Sequence, residues 1–136
     1  MNVMFDINVI LDIVGHRQPF YESSRDAFLR VVGEGDVPYL SVHALATLYY
    51  LLGATATRKQ RAAAMEWVFE AFKVAGLTAE EVAAARGLAM SDFEDALVVA
   101  AARAMRCCCI LTRNVRDFKE SPIRAIAPDD FVCRCG

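Results

Sequence analysis

The chain has 136 residues, enough for one domain with a single hydrophobic core and no covalent staples. Hydrophobic residues make up 56% and charged ones 24%, which excludes a disordered chain, and the formal net charge of −2 excludes a uniformly basic nucleic-acid binder while permitting a basic rim around an acidic centre. No apolar run reaches the roughly 18 residues of a membrane span, and no basic segment followed by an apolar one opens the chain, so a cytoplasmic location without membrane contact is expected.

Asn2-Val3-Met4-Phe5 is a short apolar run closed by Asp6, the pattern of a buried strand. A helix is expected over residues 8–14, with Gly15 as its stop, and a second over 23–33. Gly35-Asp36 turns the chain into a β-prone run over 37–40. Ser41 then caps a helix to about Leu52, ended by Gly53. Thr57-Arg58-Lys59-Gln60 has capping-box spacing and opens a helix to about Phe72, and Thr78-Ala79-Glu80-Glu81 repeats the device for a short helix to Arg86. Between them, residues 73–77 form the least distinct strand. Ser91-Asp92-Phe93-Glu94 is a third box, opening an alanine-rich helix to about Met105. Cys108 to Thr112 is an apolar strand, residues 124–126 an edge strand, and Pro128 begins a terminal turn.

Short apolar strands alternating with helices predict one domain over 1–136, a three-layer α/β/α fold around a mostly parallel sheet. No repeat, low-complexity segment or linker divides it. The five cysteines are odd in number and lack zinc-finger spacing, so neither a disulfide framework nor a zinc site is expected. Cys107, Cys108 and Cys109 read as small hydrophobes of a buried strand, with adjacent thiols on opposite faces. Cys133 and Cys135 read as incidental thiols.

In open α/β sheets, ligands bind beyond the carboxyl ends of the strands. The residues there are polar: Asp6 and Asn8 after the first strand, Asp92, Glu94 and Asp95 at the start of the alanine-rich helix, and Thr112, Asn114 and Asp117 after the cysteine strand. Carboxylates gathered in a cleft repel one another, and a hard divalent cation such as Mg²⁺ or Mn²⁺ resolves this. Asp92 and Glu94 serve equally well as capping and helix-dipole partners. Asp6, directly after a buried strand, and Asp95, followed by apolar neighbours, are the stronger site candidates.

Three segments carry a family resemblance. Phe5-Asp6-Ile7-Asn8-Val9-Ile10-Leu11-Asp12, Ser91-Asp92-Phe93-Glu94-Asp95-Ala96 and Leu111-Thr112-Arg113-Asn114-Val115-Arg116-Asp117-Phe118 resemble, in order and spacing, three motifs of the PIN domain family, and Ile126-Ala127-Pro128-Asp129-Asp130-Phe131 resembles its terminus. The resemblance implies a Rossmann-like sheet of about five parallel strands. It further implies Mg²⁺- or Mn²⁺-dependent cleavage of single-stranded RNA by a metal-activated water, often as the VapC-type toxin of a toxin–antitoxin pair, with an antitoxin partner and a homodimer. Asp6 then matches the first family acid, Asp95 the third, and Asp117 falls in the fourth metal-site region, supported by Thr112 and Asn114. Arg113, Arg116 and Lys119 would approach the RNA phosphates, joined by Arg17 or by Arg58 and Lys59.

One position departs from the family pattern. Thr47 stands where the second acid is usual, and a neutral hydroxyl is a weaker metal ligand than a carboxylate. His43, one helical turn earlier, either reaches the same cleft or caps the helix surface, and Glu94 is a second source of the missing charge. A degenerate PIN fold that binds RNA or a protein partner is therefore the competing reading. A nucleotide-dependent oxidoreductase is disfavoured, because no Gly-x-Gly-x-x-Gly follows the first strand.

Overall fold

The computed structural model of the protein describes residues 1–134. Its strands are β1 (Asn2–Phe5), β2 (Val37–Ser41), β3 (Lys73–Ala75), β4 (Cys107–Leu111) and β5 (Ala125–Ile126). Its helices are α1 (Ile7–Val14), α2 (Tyr21–Gly33), α3 (Val42–Thr55), α4 (Arg58–Ala71), α5 (Ala79–Arg86), α6 (Phe93–Ala104) and α7 (Pro128–Arg134), and a 3-10 turn spans Val115–Phe118. All strand pairs are parallel, in the order β3-β2-β1-β4-β5. From β1 the chain first builds outward to β2 and β3, then returns to build β4 and β5 on the other side. The strand order therefore reverses between β1 and β4, and the crevice above their carboxyl ends is the switch point of the sheet.

Helices cover both faces, because a parallel sheet has no face it can leave to water. On one face Val3, Phe5, Leu40, Cys109 and Leu111 pack against α1, α2, α3 and α4. Phe5 meets the rings of Phe28 and Phe72 edge-on, at 6.2 and 5.2 Å between centroids. That contact fixes the end of β1 and hence the residue after it, Asp6. On the other face Met4, Cys107 and Ile110 pack against Val98, Val99, Ala101 and Ala102 of α6.

Local chemistry explains most boundaries. Both threonine capping boxes form reciprocally, Thr57 with Gln60 and Thr78 with Glu81. Gly35 ends the α2–β2 turn at φ +80, a conformation that favours glycine. The third box is displaced by one residue: the N-cap of α6 is Asp92, whose carboxylate accepts from Asp95 N at 3.1 Å. Gly53 does not end α3, which continues to Thr55. A Cβ there would fall 2.5 Å from the Arg61 guanidinium, which lies 4.1 Å from the Tyr49 ring centroid, so this glycine admits a side chain from α4. The expected terminal turn is the helix α7, whose Phe131 packs against the core.

The cysteine strand also departs from expectation. Asn2 pairs with Cys107 and Val3 with Cys109, which leaves Cys108 as the additional residue of a bulge. The bulge breaks the alternation: Cys107 and Cys109 are buried on different faces, Cys108 is exposed, and its Sγ lies 3.9 Å from that of Cys109. Burial pushes the thiols of Cys107 and Cys109 up to about 12. Cys135 and the side chain of Cys133 lie outside the described residues. No helix among the described residues is long and apolar enough to cross a membrane.

Candidate functional site: an acidic cleft at the switch point

Asp6 leaves β1 and N-caps α1. Its Oδ1 accepts from Ile7 N at 2.9 Å, and its Oδ2 accepts from Thr112 Oγ1 at 2.8 Å and from Asn8 Nδ2 at 3.3 Å. Its own N–H donates to Leu111 O at 2.9 Å, so the ends of β1 and β4 are tied together through backbone and side chain. The carboxylate is 5% exposed. Burial raises its pKa, with the Asp92 charge adding to this, while the bonds from Thr112 and Ile7 and the charge of His43 act against it.

Asp95 enters from α6, with its backbone held by Asp92 and its side chain half-buried. Its pKa is raised to about 7, first by burial and then by the negative charges of Asp6, Asp92, Asp117 and Glu94. Four acids from three distant segments thus act on one carboxyl. Asp117 lies in the 3-10 turn, where its N–H donates to Asn114 O at 2.9 Å, and Asn114 N in turn donates to Thr112 Oγ1 at 3.0 Å. Thr112, fully buried, is the hub joining this turn to Asp6.

A pocket of about 40 Å³ lies beside Asp6 and Asp95, lined also by His43, Ala44, Thr47 and Glu94. That is room for about one water or ion. Thr47 occupies the cleft as expected, but its hydroxyl donates to His43 O at 3.1 Å. His43 is in the cleft rather than on the helix surface: its Nδ1 is buried without a hydrogen-bond partner. Burial lowers its pKa, opposed by Glu94 and Asp6.

The donor set is rich in carboxylate oxygen and mutually repulsive, which suits a hard divalent cation. Among the described residues, however, no three His, Cys, Asp or Glu side chains stand close enough together to hold a metal ion as they are placed.

Arg116 and Lys119 are exposed on and just after the 3-10 turn, as an RNA-facing role requires. Arg113 is placed otherwise. Its Nε donates to Asp12 Oδ2 at 2.7 Å and its guanidinium lies 4.0 Å over the Phe20 ring, so it is turned onto α1 and α2. Arg17 lies 3.6 Å from the same carboxylate, while Arg58 and Lys59 are exposed at the start of α4. Asp12 is the residue that sequence reasoning missed. A signal existed: it is the sole charge in Ile-Asn-Val-Ile-Leu-Asp-Ile-Val, and a charge within so apolar a short helix is buried only with a partner.

An α/β domain with an acidic cleft at its switch point has the layout of a doubly wound ligand-binding domain. Residues 2–116 match the PIN domain family, and the chain belongs to it. No curated protein matches it in sequence. Several solved structures share its fold. FitAcB from Neisseria gonorrhoeae, 18% identical, superposes with a TM-score of 0.73 over 93% of this chain and 97% of that one. VapBC2 from Rickettsia felis, bound to a DNA fragment from its promoter, is 18% identical with a TM-score of 0.70, covering 93% and 98%. VapC20 from Mycobacterium tuberculosis, a toxin that cleaves the sarcin–ricin loop, is 16% identical with a TM-score of 0.64, covering 79% and 86%.

Proposed function

We propose that the chain is a Mg²⁺- or Mn²⁺-dependent endoribonuclease acting on single-stranded RNA, the toxin of a toxin–antitoxin pair. The observation that carries this reading is the placement of Asp6 and Asp95 on one small pocket at the switch point, with Asp117, from a third segment, within electrostatic reach of Asp95. These three would hold the cation. When bound, it would neutralise charge on the phosphodiester and activate the attacking water. Thr112 and the Ile7 N–H keep Asp6 in one orientation beside the cleft and oppose the effect of burial on its pKa. Arg116 and Lys119 meet the RNA backbone, which fixes its position without reading its sequence.

Calorimetric titration with Mn²⁺ tests the reading. Wild type is expected to bind saturably and to cleave a single-stranded RNA oligonucleotide; Asp6→Asn is expected to lose most of both. The second reading, a PIN fold retained for binding alone, is favoured by Thr47 and by the open arrangement of the acids. Neither Mn²⁺ binding nor cleavage in wild type would select it.

The fold relatives include toxin–antitoxin complexes, which supports an antitoxin partner here. A groove of about 1300 Å³ runs along α1, α3 and α4, lined by Leu11, Val14, Leu51, Leu52, Ala64 and Trp67, and Tyr49, Tyr50 and Leu51 are exposed on α3. This apolar surface fits a partner helix or a second copy of the chain. A dimer is expected in sedimentation equilibrium, with Tyr50→Arg shifting it towards monomer. A monomer at every concentration, for both proteins, would refute self-association.

A further inference from the structure

Asp12 takes no part in the acidic cleft, yet it is a fully buried carboxylate. Such a charge is stable only when paired and hydrogen-bonded. Its Oδ2 accepts from Arg113 Nε at 2.7 Å and from Ser24 Oγ at 3.1 Å, and Arg17 Nε lies 3.6 Å from its Oδ1. The Arg113 guanidinium is covered on one side by Phe20. The same arginine is bound through its backbone: Arg113 N donates to Asn8 Oδ1 at 3.2 Å. On one flank is Thr112, bonded to Asp6; on the other is Asn114, whose carbonyl accepts from Asp117 N. Asp6 caps the first turn of α1 and Asp12 sits in its last, so this one short helix contacts both ends of the arrangement.

We propose that the Asp12–Arg113 pair is a positioning device that clamps the segment 112–118 onto α1 and so sets Asn114, joined to Asp6 through Thr112, and Asp117, within reach of Asp95, at the cleft. A guanidinium has a planar fork that a flexible ammonium lacks, and a desolvated carboxylate leaves it one place to dock. Arg113 therefore serves the cleft from outside it. The clamp rests on the reading of Asp6, Asp95 and Asp117 as one site, but its effect on the segment is measurable without any cation.

Hydrogen exchange of the full chain without added metal, followed by Mn²⁺ titration, tests this. Asp12→Asn and Arg113→Lys are each expected to speed exchange over 112–118 by about 10-fold or more, with residues 79–104 keeping wild-type protection. Both should weaken Mn²⁺ binding by roughly 10-fold, as loss of a supporting partner does. The double variant should be no worse than the worse single, since the two act as one unit. Val68→Ala, a core truncation in α4, is the control for general destabilisation. Faster exchange spread over the whole chain, as in Val68→Ala, or unchanged exchange over 112–118, would overturn the proposal. If Asp12→Asn does not fold, Arg113→Lys, which keeps a cation beside Asp12, decides it. If wild type binds no Mn²⁺, the cation reading fails while the exchange data still decide the clamp.

Discussion

Asp95→Asn is expected to raise the thermal midpoint of the cation-free protein at pH 8 and, on the proposed nuclease function, to remove most of the Mn²⁺-dependent RNA cleavage. The Asp95 pKa is about 7 in the folded chain, against an ordinary value of 3.8. The folded state thus binds more protons than the unfolded one between those values, and stability falls as pH rises through that window. Below about 4 the carboxyl is neutral in both states and contributes nothing; above 7 the burial of its charge, and after it the repulsion from Asp6, Asp92, Asp117 and Glu94, opposes folding. The raised pKa of Asp6 acts with the same sign. An amide at position 95 carries no charge, so the variant should gain a few degrees at pH 8, nothing at pH 4, and show a flatter pH profile. Cleavage should fall on the order of 100-fold, as when one preorganised electrostatic group is lost from a site. Calorimetric scans at both pH values and single-turnover cleavage check the two halves. An equal loss of stability at both pH values would show that Asp95 is not held under repulsion.

Much of this site was legible because its determinants are local. An apolar run ending in an acid places Asp6 at a strand end, and short-range capping chemistry places the starts of α4 and α5. The parts that were not legible depend on residues distant in sequence. Asp12 and Arg113 are 101 residues apart, and no periodicity shows that a basic residue in a polar loop will fold back onto an apolar helix. His43 became part of the cleft only because β2 lies beside β1, which brings the start of α3 near Asp6. The bulge at Cys108 shifts the β1–β4 register, and three identical side chains in a row give no sign of which is the additional residue. Gly53 has the composition of a stop signal; its actual reason is Arg61, eight residues on in another helix.

Thr47→Glu is expected to change stability in opposite directions with and without a cation. Thr47 lines the small pocket with Asp6, Glu94 and Asp95, and its hydroxyl is bonded back to the His43 carbonyl, a local interaction that holds no ligand. Glutamate is a good helix former, so α3 should persist, with a carboxylate now beside the other acids. Without a cation the added charge strengthens the repulsion on Asp6 and Asp95, raises their pKa values further, and lowers the midpoint at pH 8. It also favours the protonated imidazole of His43, opposing the effect of burial. With Mn²⁺ present the same charge becomes attractive. Affinity should tighten on the order of 10-fold, and at 100 times the Kd a ligand bound only to the folded state adds about 2.7 kcal/mol. The Mn²⁺-induced rise in midpoint should therefore exceed that of wild type, with cleavage equal or faster. Gain of both binding and cleavage by Thr47→Glu, where wild type shows neither, would make the natural protein a binding module whose missing element is this one acid. A variant destabilised equally with and without Mn²⁺ would instead show that position 47 does not share a cation with Asp6 and Asp95.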